Sequence, residues 1–245
     1  MNYVSIIVTH YSQRDDFLPE SNLRSQFLRQ CMDSLIKNTT YPAELIVIDN
    51  GGKNDDSDYL VDLTRQGKIN TYIRNKNNMY WAYGWNQGVK MATGKYILLT
   101  HNDYIFKPNW LEKTIYPLLK YPDKRLIACP MLFKNKYNIG KLEDYRLDSF
   151  GMPACLLLTK ELFYKVGEYP VCLLSSPYWL KKVAEKGYVF IAPPTNYVKR
   201  IGVGHCLDPS QLIKVEKELL TKQKIDLHEK GTYYRNKRIS WTPHN

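Results

Sequence analysis

Three short aliphatic runs in this amino-acid sequence end in polar groups able to bind a ligand. Val4-Ser5-Ile6-Ile7-Val8 leads into Thr9-His10-Tyr11. Glu44-Leu45-Ile46-Val47-Ile48 leads into Asp49-Asn50, and Lys95-Tyr96-Ile97-Leu98-Leu99-Thr100 into His101-Asn102-Asp103. An aspartate in such a place can accept hydrogen bonds from a uracil or a ribose. A second can hold a divalent cation, Mn2+ or Mg2+, whose hard charge prefers carboxylate oxygen. Set between the two phosphates of a nucleotide sugar, that cation would act as a Lewis acid and stabilise a diphosphate leaving group. Periodicity alone demands none of this, since each run could have ended in lysine or serine.

The scaffold has to bring those strand ends to one edge. Nearly continuous apolar runs of this length read as parallel strands buried on both faces. Between the first two, Leu23, Phe27, Leu28, Cys31, Leu35 and Ile36 recur at helical spacing. This gives a β-α-β unit with the right-handed crossover of a parallel sheet. The pattern continues with a helix over Ser57–Gln66, a strand over Ile69–Arg74 and a helix over Trp81–Ala92 that stops at Gly94. A further helix follows Pro108, which suits a first-turn position. Strands are predicted at Leu126–Leu132, Ala154–Leu158 and Tyr188–Ala192, and a late helix opens at Asp208, its N-cap. In open α/β sheets ligands bind outside the carboxyl ends of the strands, where Thr9, Asp49 and Asp103 stand. Trp81, Trp85 and Trp110 read as core residues.

The chain has 245 residues, 44% of them hydrophobic, enough for one large α/β unit with a small C-terminal lobe. No run of about 18 apolar residues is present, so no transmembrane helix is expected, and no signal peptide is recognised. Five scattered cysteines (Cys31, Cys129, Cys155, Cys172, Cys206) read as buried free thiols in a reducing, cytoplasmic setting. The net charge of +11 favours polyanionic neighbours such as nucleotide diphosphates, anionic lipid headgroups or nucleic acid. A Lys-, Asn- and Tyr-rich composition also arises without selection for binding. From Lys214 to Arg238 basic residues outnumber acidic ones, which suits a tail docking on the domain or reaching a charged surface.

Four segments carry a family resemblance in their order and spacing. They are Val4–Tyr11, Glu44–Gly52, Asn78-Met79-Tyr80-Trp81-Ala82-Tyr83-Gly84-Trp85-Asn86-Gln87-Gly88, and Ala92–Asp103. Together they resemble glycosyltransferase family 2, and Pro108-Asn109-Trp110-Leu111 also fits. The match covers about the first 115 residues; the C-terminal half resembles the family more loosely, at Gly151–Gly167 and at Val203-Gly204-His205. The resemblance implies an α/β GT-A (Rossmann-like) fold, a mostly parallel central sheet flanked by helices, with a small C-terminal helical extension. It divides the chain into a catalytic unit over 1–207, with a nucleotide-sugar half (1–115) and an acceptor half (116–207), and a basic extension over 208–245. It implies a glycosyltransferase with an inverting mechanism, which binds its donor through Thr9, Tyr11, Asp49, Asn50, Asn78, Asn86, Asn102 and Asp103. Asp103 and His205 would hold the metal.

Three departures from the family pattern bear on chemistry. The metal motif is reduced, with His101 at the usual first acidic position, and Tyr80 stands where the family prefers glycine. The usual catalytic base is also missing: the positions that should carry an acidic pair before Gly187-Tyr188 read Ser176-Pro177-Tyr178. An inverting transferase needs a carboxylate to take the acceptor's proton. Asp148, then Asp144 and Glu143, are the candidates elsewhere. The leading acceptor is a surface glycan or lipid-linked saccharide, with the basic C-terminus at the membrane periphery. The alternatives are a bacteriophage-type enzyme acting on modified bases in DNA, and a nucleotide-sugar-binding protein without turnover.

Overall fold

The computed structural model describes residues 3–12, 23–132, 138–149, 154–170 and 175–202, with backbone alone over 175–178. Alternation of strand and helix begins with β1 (Val4–His10), α1 (Arg24–Asn38), β2 (Ala43–Asp49), α2 (Asn54–Arg65), β3 (Thr71–Arg74), α3 (Tyr80–Met91) and β4 (Tyr96–His101). It continues through β5 (Tyr104–Phe106), α4 (Trp110–Lys120), β6 (Leu126–Ala128), β7 (Asn138–Leu142), β8 (Tyr145–Asp148) and β9 (Cys155–Thr159). The described chain closes with α5 (Lys160–Val166), α6 (Ser175–Glu185), β10 (Val189–Ala192) and β11 (Val198–Arg200).

Among the described residues nine strands form one sheet in the order β3-β2-β1-β4-β9-β6-β10-β8-β7. The pairs β2–β3, β1–β2, β1–β4 and β6–β10 are parallel, while β9 and β8 run against their neighbours. This is the mostly parallel α/β sheet expected from the apolar runs. Every residue of β1 is buried, because helices cover both faces. On one face Leu28, Met32, Leu60, Trp110 and Ile115 pack from α1, α2 and α4. On the other, Trp85, Val89, Phe163, Trp179 and Val183 pack from α3, α5 and α6. Burial of apolar area at about 25 cal/mol per Å² drives this layering.

Two features lie outside the sequence expectation. The β7–β8 hairpin extends the sheet edge; β7 is exposed almost throughout and so carries no hydrophobic alternation. It is tied to α4 by a backbone exchange. Pro117 inside α4 has no N–H to offer Lys113, four residues back, and the Lys113 carbonyl accepts instead from the Tyr145 hydroxyl at 2.9 Å. The second feature is a small antiparallel ribbon of β5 with β11, in which Arg200 pairs with Tyr104. The strand predicted over Leu126–Leu132 stops at Ala128, and Pro130 lacks the amide hydrogen that would extend it. Pro108 lies before α4 rather than in its first turn, with Asn109 at the cap in a left-handed conformation (φ 60°). The late helix from Asp208 and the basic segment 214–238 lie outside the described residues. Among the described cysteines, Cys31, Cys129 and Cys155 are buried, as expected.

Candidate functional site

The carboxyl edge of the parallel strands is where β1, β2 and β4 end together, in the register His10 to Asp49 and Thr9 to His101. Helix α3 lies on that part of the sheet. It approaches closely because Gly84 and Gly88 carry no side chain: a Cβ on Gly84 would fall 2.8 Å from Thr9 Cγ2, and one on Gly88 would overlap Ile7 Cγ2. The helix opens at Tyr80, whose φ of 65° is the left-handed conformation a glycine takes without strain. The backbone therefore keeps the glycine-like turn, at a steric cost of roughly 1–2 kcal/mol. Neighbouring groups hold it there. The Tyr80 N–H donates to Asn78 Oδ1 (3.0 Å), and the Tyr80 carbonyl accepts from Asn50 Nδ2 (3.0 Å).

Asp49 is fully buried. One of its oxygens accepts from the Gly52 N–H at 2.6 Å, the other from the Ser57 hydroxyl at 2.6 Å and the Tyr72 hydroxyl at 3.0 Å. Arg74 lies 3.8 Å away. Asn50 joins in through Oδ1, which accepts from Asn75 Nδ2 at 2.8 Å. Both side chains thus brace the 50–53 turn, β3 and the start of α3. Below the turn, Asp56 accepts from Ser25 (2.6 Å) and Arg29 (2.7 Å), with His10 Nε2 at 3.5 Å. Burial would push its carboxyl up, but the polar groups around it, His10, Ser12, Ser25 and Arg29, outweigh that and hold it well below the usual range.

Thr9 and His101 share a hydrogen bond (Oγ1 to Nδ1, 2.8 Å). The His101 ring stacks on Trp85 with centroids 4.7 Å apart, and Trp85 Nε1 donates to the Thr100 carbonyl at 2.9 Å. His101, at the usual first acidic position of the metal motif, is therefore built into the floor of the site. Trp85 and Trp110 are fully buried.

Asp103 differs from Asp49. Its Oδ2 accepts from Arg200 Nε at 2.8 Å, whereas Oδ1 is buried with no hydrogen-bond partner among the described residues. A buried carboxylate oxygen without a donor is costly unless something cationic completes it. A divalent cation would complete it, so Asp103 fits the role of a cation ligand; Glu112 Oε2 is the other carboxylate oxygen in this state among the described residues. No group of three or more His, Cys, Asp or Glu that could hold a metal occurs among the described residues, so further ligands would have to come from the substrate's phosphates or from His205. His205 lies outside the described residues, but Gly202, three residues before it, packs directly on Asp103: a Cβ there would sit 2.7 Å from Oδ2. Asp49 at the end of β2 and Asp103 just beyond β4 share one sheet edge, the two strands being two spacings, or about 10 Å, apart.

The other candidates are placed as follows. Asn86 is buried and bridges α3 to the segment after α5: its amide donates to the Tyr169 carbonyl (2.8 Å) and its oxygen accepts from the Tyr169 N–H (3.0 Å). Asn102 donates to the Arg24 carbonyl at 3.4 Å, and Arg24 lies over the Tyr11 ring. The structure does not bring Asp148 or Asp144 to Asp103. Asp148 sits on β8, four strand spacings or roughly 19 Å from β4, level with Phe190 in mid-sheet. There it pairs with Arg146 at 2.6 Å. Burial pushes its carboxyl up, and Arg146 pulls it only part of the way back. Asp144 and Glu143 form the exposed β7–β8 turn, where Glu143 binds Lys120 and Tyr121. The identity of Arg200 as the partner of Asp103 had no sequence signal beyond its nearness to His205.

The chain matches the glycosyl transferase family 2 profile over residues 5–167. A curated relative, an uncharacterized glycosyltransferase of Haemophilus influenzae, is 29% identical over 117 residues, which is 48% of this chain and 33% of the relative. The chain thus spans about a third of that relative's length. Two solved structures share the fold. One, GalNAc-T7 with UDP, GalNAc and Mn2+, superposes with a TM-score of 0.64 at 13% identity, over 89% of this chain and 47% of its own. The other, the mannosyltransferase PcManGT of Pyrobaculum calidifontis with GDP-Man and Mn2+, gives 0.63 at 17% identity, over 83% and 58%.

Proposed function

The chain belongs to glycosyltransferase family 2, and from that premise we propose that it moves a sugar from a nucleotide-sugar donor to an acceptor hydroxyl, with a divalent cation held at Asp103. The observation that carries this reading is the buried Oδ1 of Asp103 at the carboxyl edge of the sheet, which has no hydrogen-bond partner among the described residues. A bound divalent cation would supply Lewis-acid stabilisation of the departing diphosphate. The chain's own residues do the positioning. Asp103 offers one carboxylate oxygen, and His205 is the proposed second ligand. Thr9, His101 and Trp85 form a rigid floor. Asp49, Asn50 and Asn78 fix the turn and the helix start that border the donor. Tyr11 and Asn102 complete the rim. The two fold neighbours bound to nucleotide or nucleotide sugar with Mn2+ support the same assignment.

We take residues 1–207 as the catalytic unit and 208–245 as a basic extension. The proposed acceptor is a glycan or lipid-linked saccharide at a cytoplasmic membrane face, reached through that extension; modified DNA is the competing acceptor, and a steep loss of DNA binding with salt would favour it. Among the described residues no helix is long and apolar enough to cross a membrane.

A second reading, donor binding without transfer, has its own support: the first turn of α6 contains no acidic residue, so the family's usual base is missing there. Incubation with a panel of UDP-, GDP- and dTDP-sugars and Mn2+ separates the two. Transfer predicts release of the nucleoside diphosphate from one donor, abolished in Asp103→Ala. Binding alone predicts a thermal shift with that nucleotide and no release. Full turnover by Asp103→Ala would remove Asp103 from the reaction.

A further inference from the structure

The Asp103 carboxylate has a cation on it already, and that cation belongs to the protein. Arg200 Nε donates to Oδ2 at 2.8 Å, and the side chain remains about 30% exposed. One short ribbon places both partners. Arg200 on β11 pairs with Tyr104 on β5, the residue after Asp103, and the Ile201 N–H donates to the Asp103 carbonyl at 2.8 Å. The guanidinium carbon lies 5.7 Å from the centroid of the buried Tyr104 ring. The arginine is therefore held in place by backbone pairing and an aromatic face.

The charge balance gives this a consequence. With a histidine and an asparagine beside it, Asp103 is the one carboxylate of the 101–103 motif. A single carboxylate shared with an arginine attracts a divalent cation less strongly than a pair would, and the arginine supplies standing positive charge where a diphosphate would lie. Building on the donor-site reading above, we infer that Arg200 is a diphosphate ligand of this site, which binds the donor's phosphates beside the cation and sustains nucleotide binding when divalent cations are removed.

The test is isothermal titration of UDP and of GDP into wild type, Arg200→Gln and Arg200→Lys, each in EDTA and in Mn2+, with Mn2+ uptake by the proteins alone followed by electron paramagnetic resonance. The expected result is that wild type keeps its preferred nucleotide in EDTA within about tenfold of its affinity in Mn2+. Arg200→Gln loses tenfold or more in EDTA yet takes up Mn2+ alone more tightly, because Asp103 is released. Arg200→Lys, which keeps the charge without the bidentate fork, falls between them and carries the test should the glutamine variant not fold. Equal EDTA affinities for wild type and both variants, or no wild-type binding in EDTA alongside good binding in Mn2+, would overturn the role of Arg200 and leave the donor site standing. No binding of any nucleoside diphosphate by wild type in Mn2+ would take down both.

Discussion

Asp49 ends β2 and Asp103 lies two residues beyond β4, both at the same edge of the sheet and both with the same functional group, yet their surroundings differ. Asp49 has three donors on its carboxylate and no exposed atom to offer. Asp49→Asn would turn an amide N–H towards one of those donors. Hydrogen bonds to a charged group contribute about 1.5–3 kcal/mol each, so the variant is expected to lose about 2–3 kcal/mol of stability in urea denaturation. Asn86 is likewise engaged by the protein itself, through paired bonds to the Tyr169 backbone. Asn86→Ala is expected to cost about 2–3 kcal/mol while nucleotide affinity at saturating Mn2+ changes less than threefold; a large affinity loss with unchanged stability would make Asn86 a donor contact instead. Which strand ends carry polar groups was legible in the sequence. Which of those groups turn inward was not, because that depends on hydroxyls and amides from residues such as Ser57, Tyr72 and Tyr169, remote in the chain and without a motif of their own.

At the scale of elements, the site depends on how closely α3 lies against β1. Gly84 and Gly88, one helical turn apart, set that distance. Gly88→Ala improves helix propensity by about 0.8–1.0 kcal/mol. It also drives a methyl group into Ile7, and overpacking of this kind costs about 1–3 kcal/mol. The expected net is a lower melting temperature and a weakened donor site, since the start of α3 would lift from Thr9 and Asn50. Elsewhere, Tyr145→Phe would leave the Lys113 carbonyl beside Pro117 without its donor, for an expected loss of about 1 kcal/mol with nucleotide binding unchanged. The parallel core strands could be read from their apolar runs because burial on both faces leaves no other composition open to them. The β7–β8 hairpin could not, since an exposed edge strand is free to be polar. Nor could the β5–β11 ribbon, whose strands are three residues each, shorter than any window in which alternation can be recognised.

For the whole molecule, acid is the condition that separates its framework from its site. Asp56 and Glu44 are both held below their ordinary values, Glu44 by hydrogen bonds from Ser5, Thr93 and Gly94 that outweigh burial. Groups shifted in this direction contribute stability that is fully present above the ordinary carboxylate range and is lost as pH falls through the folded-state values. Asp148, shifted upward, works in the opposite sense and offsets part of that loss. Thermal melts from pH 7 down to pH 3 are therefore expected to show a steep fall below about pH 4 in wild type. The fall should be shallower in Asp56→Asn, from a lower starting point; parallel curves would contradict the assignment. The net charge of +11 adds self-repulsion that grows as carboxylates protonate and steepens the same limb. The proposed cation at Asp103 is tested by the anomalous scattering of Mn2+ in crystals of the protein with the nucleoside diphosphate it prefers. A peak is expected at bonding distance from Asp103 Oδ1; a well-ordered nucleotide with its Mn2+ away from Asp103 would remove Asp103 as the cation's ligand.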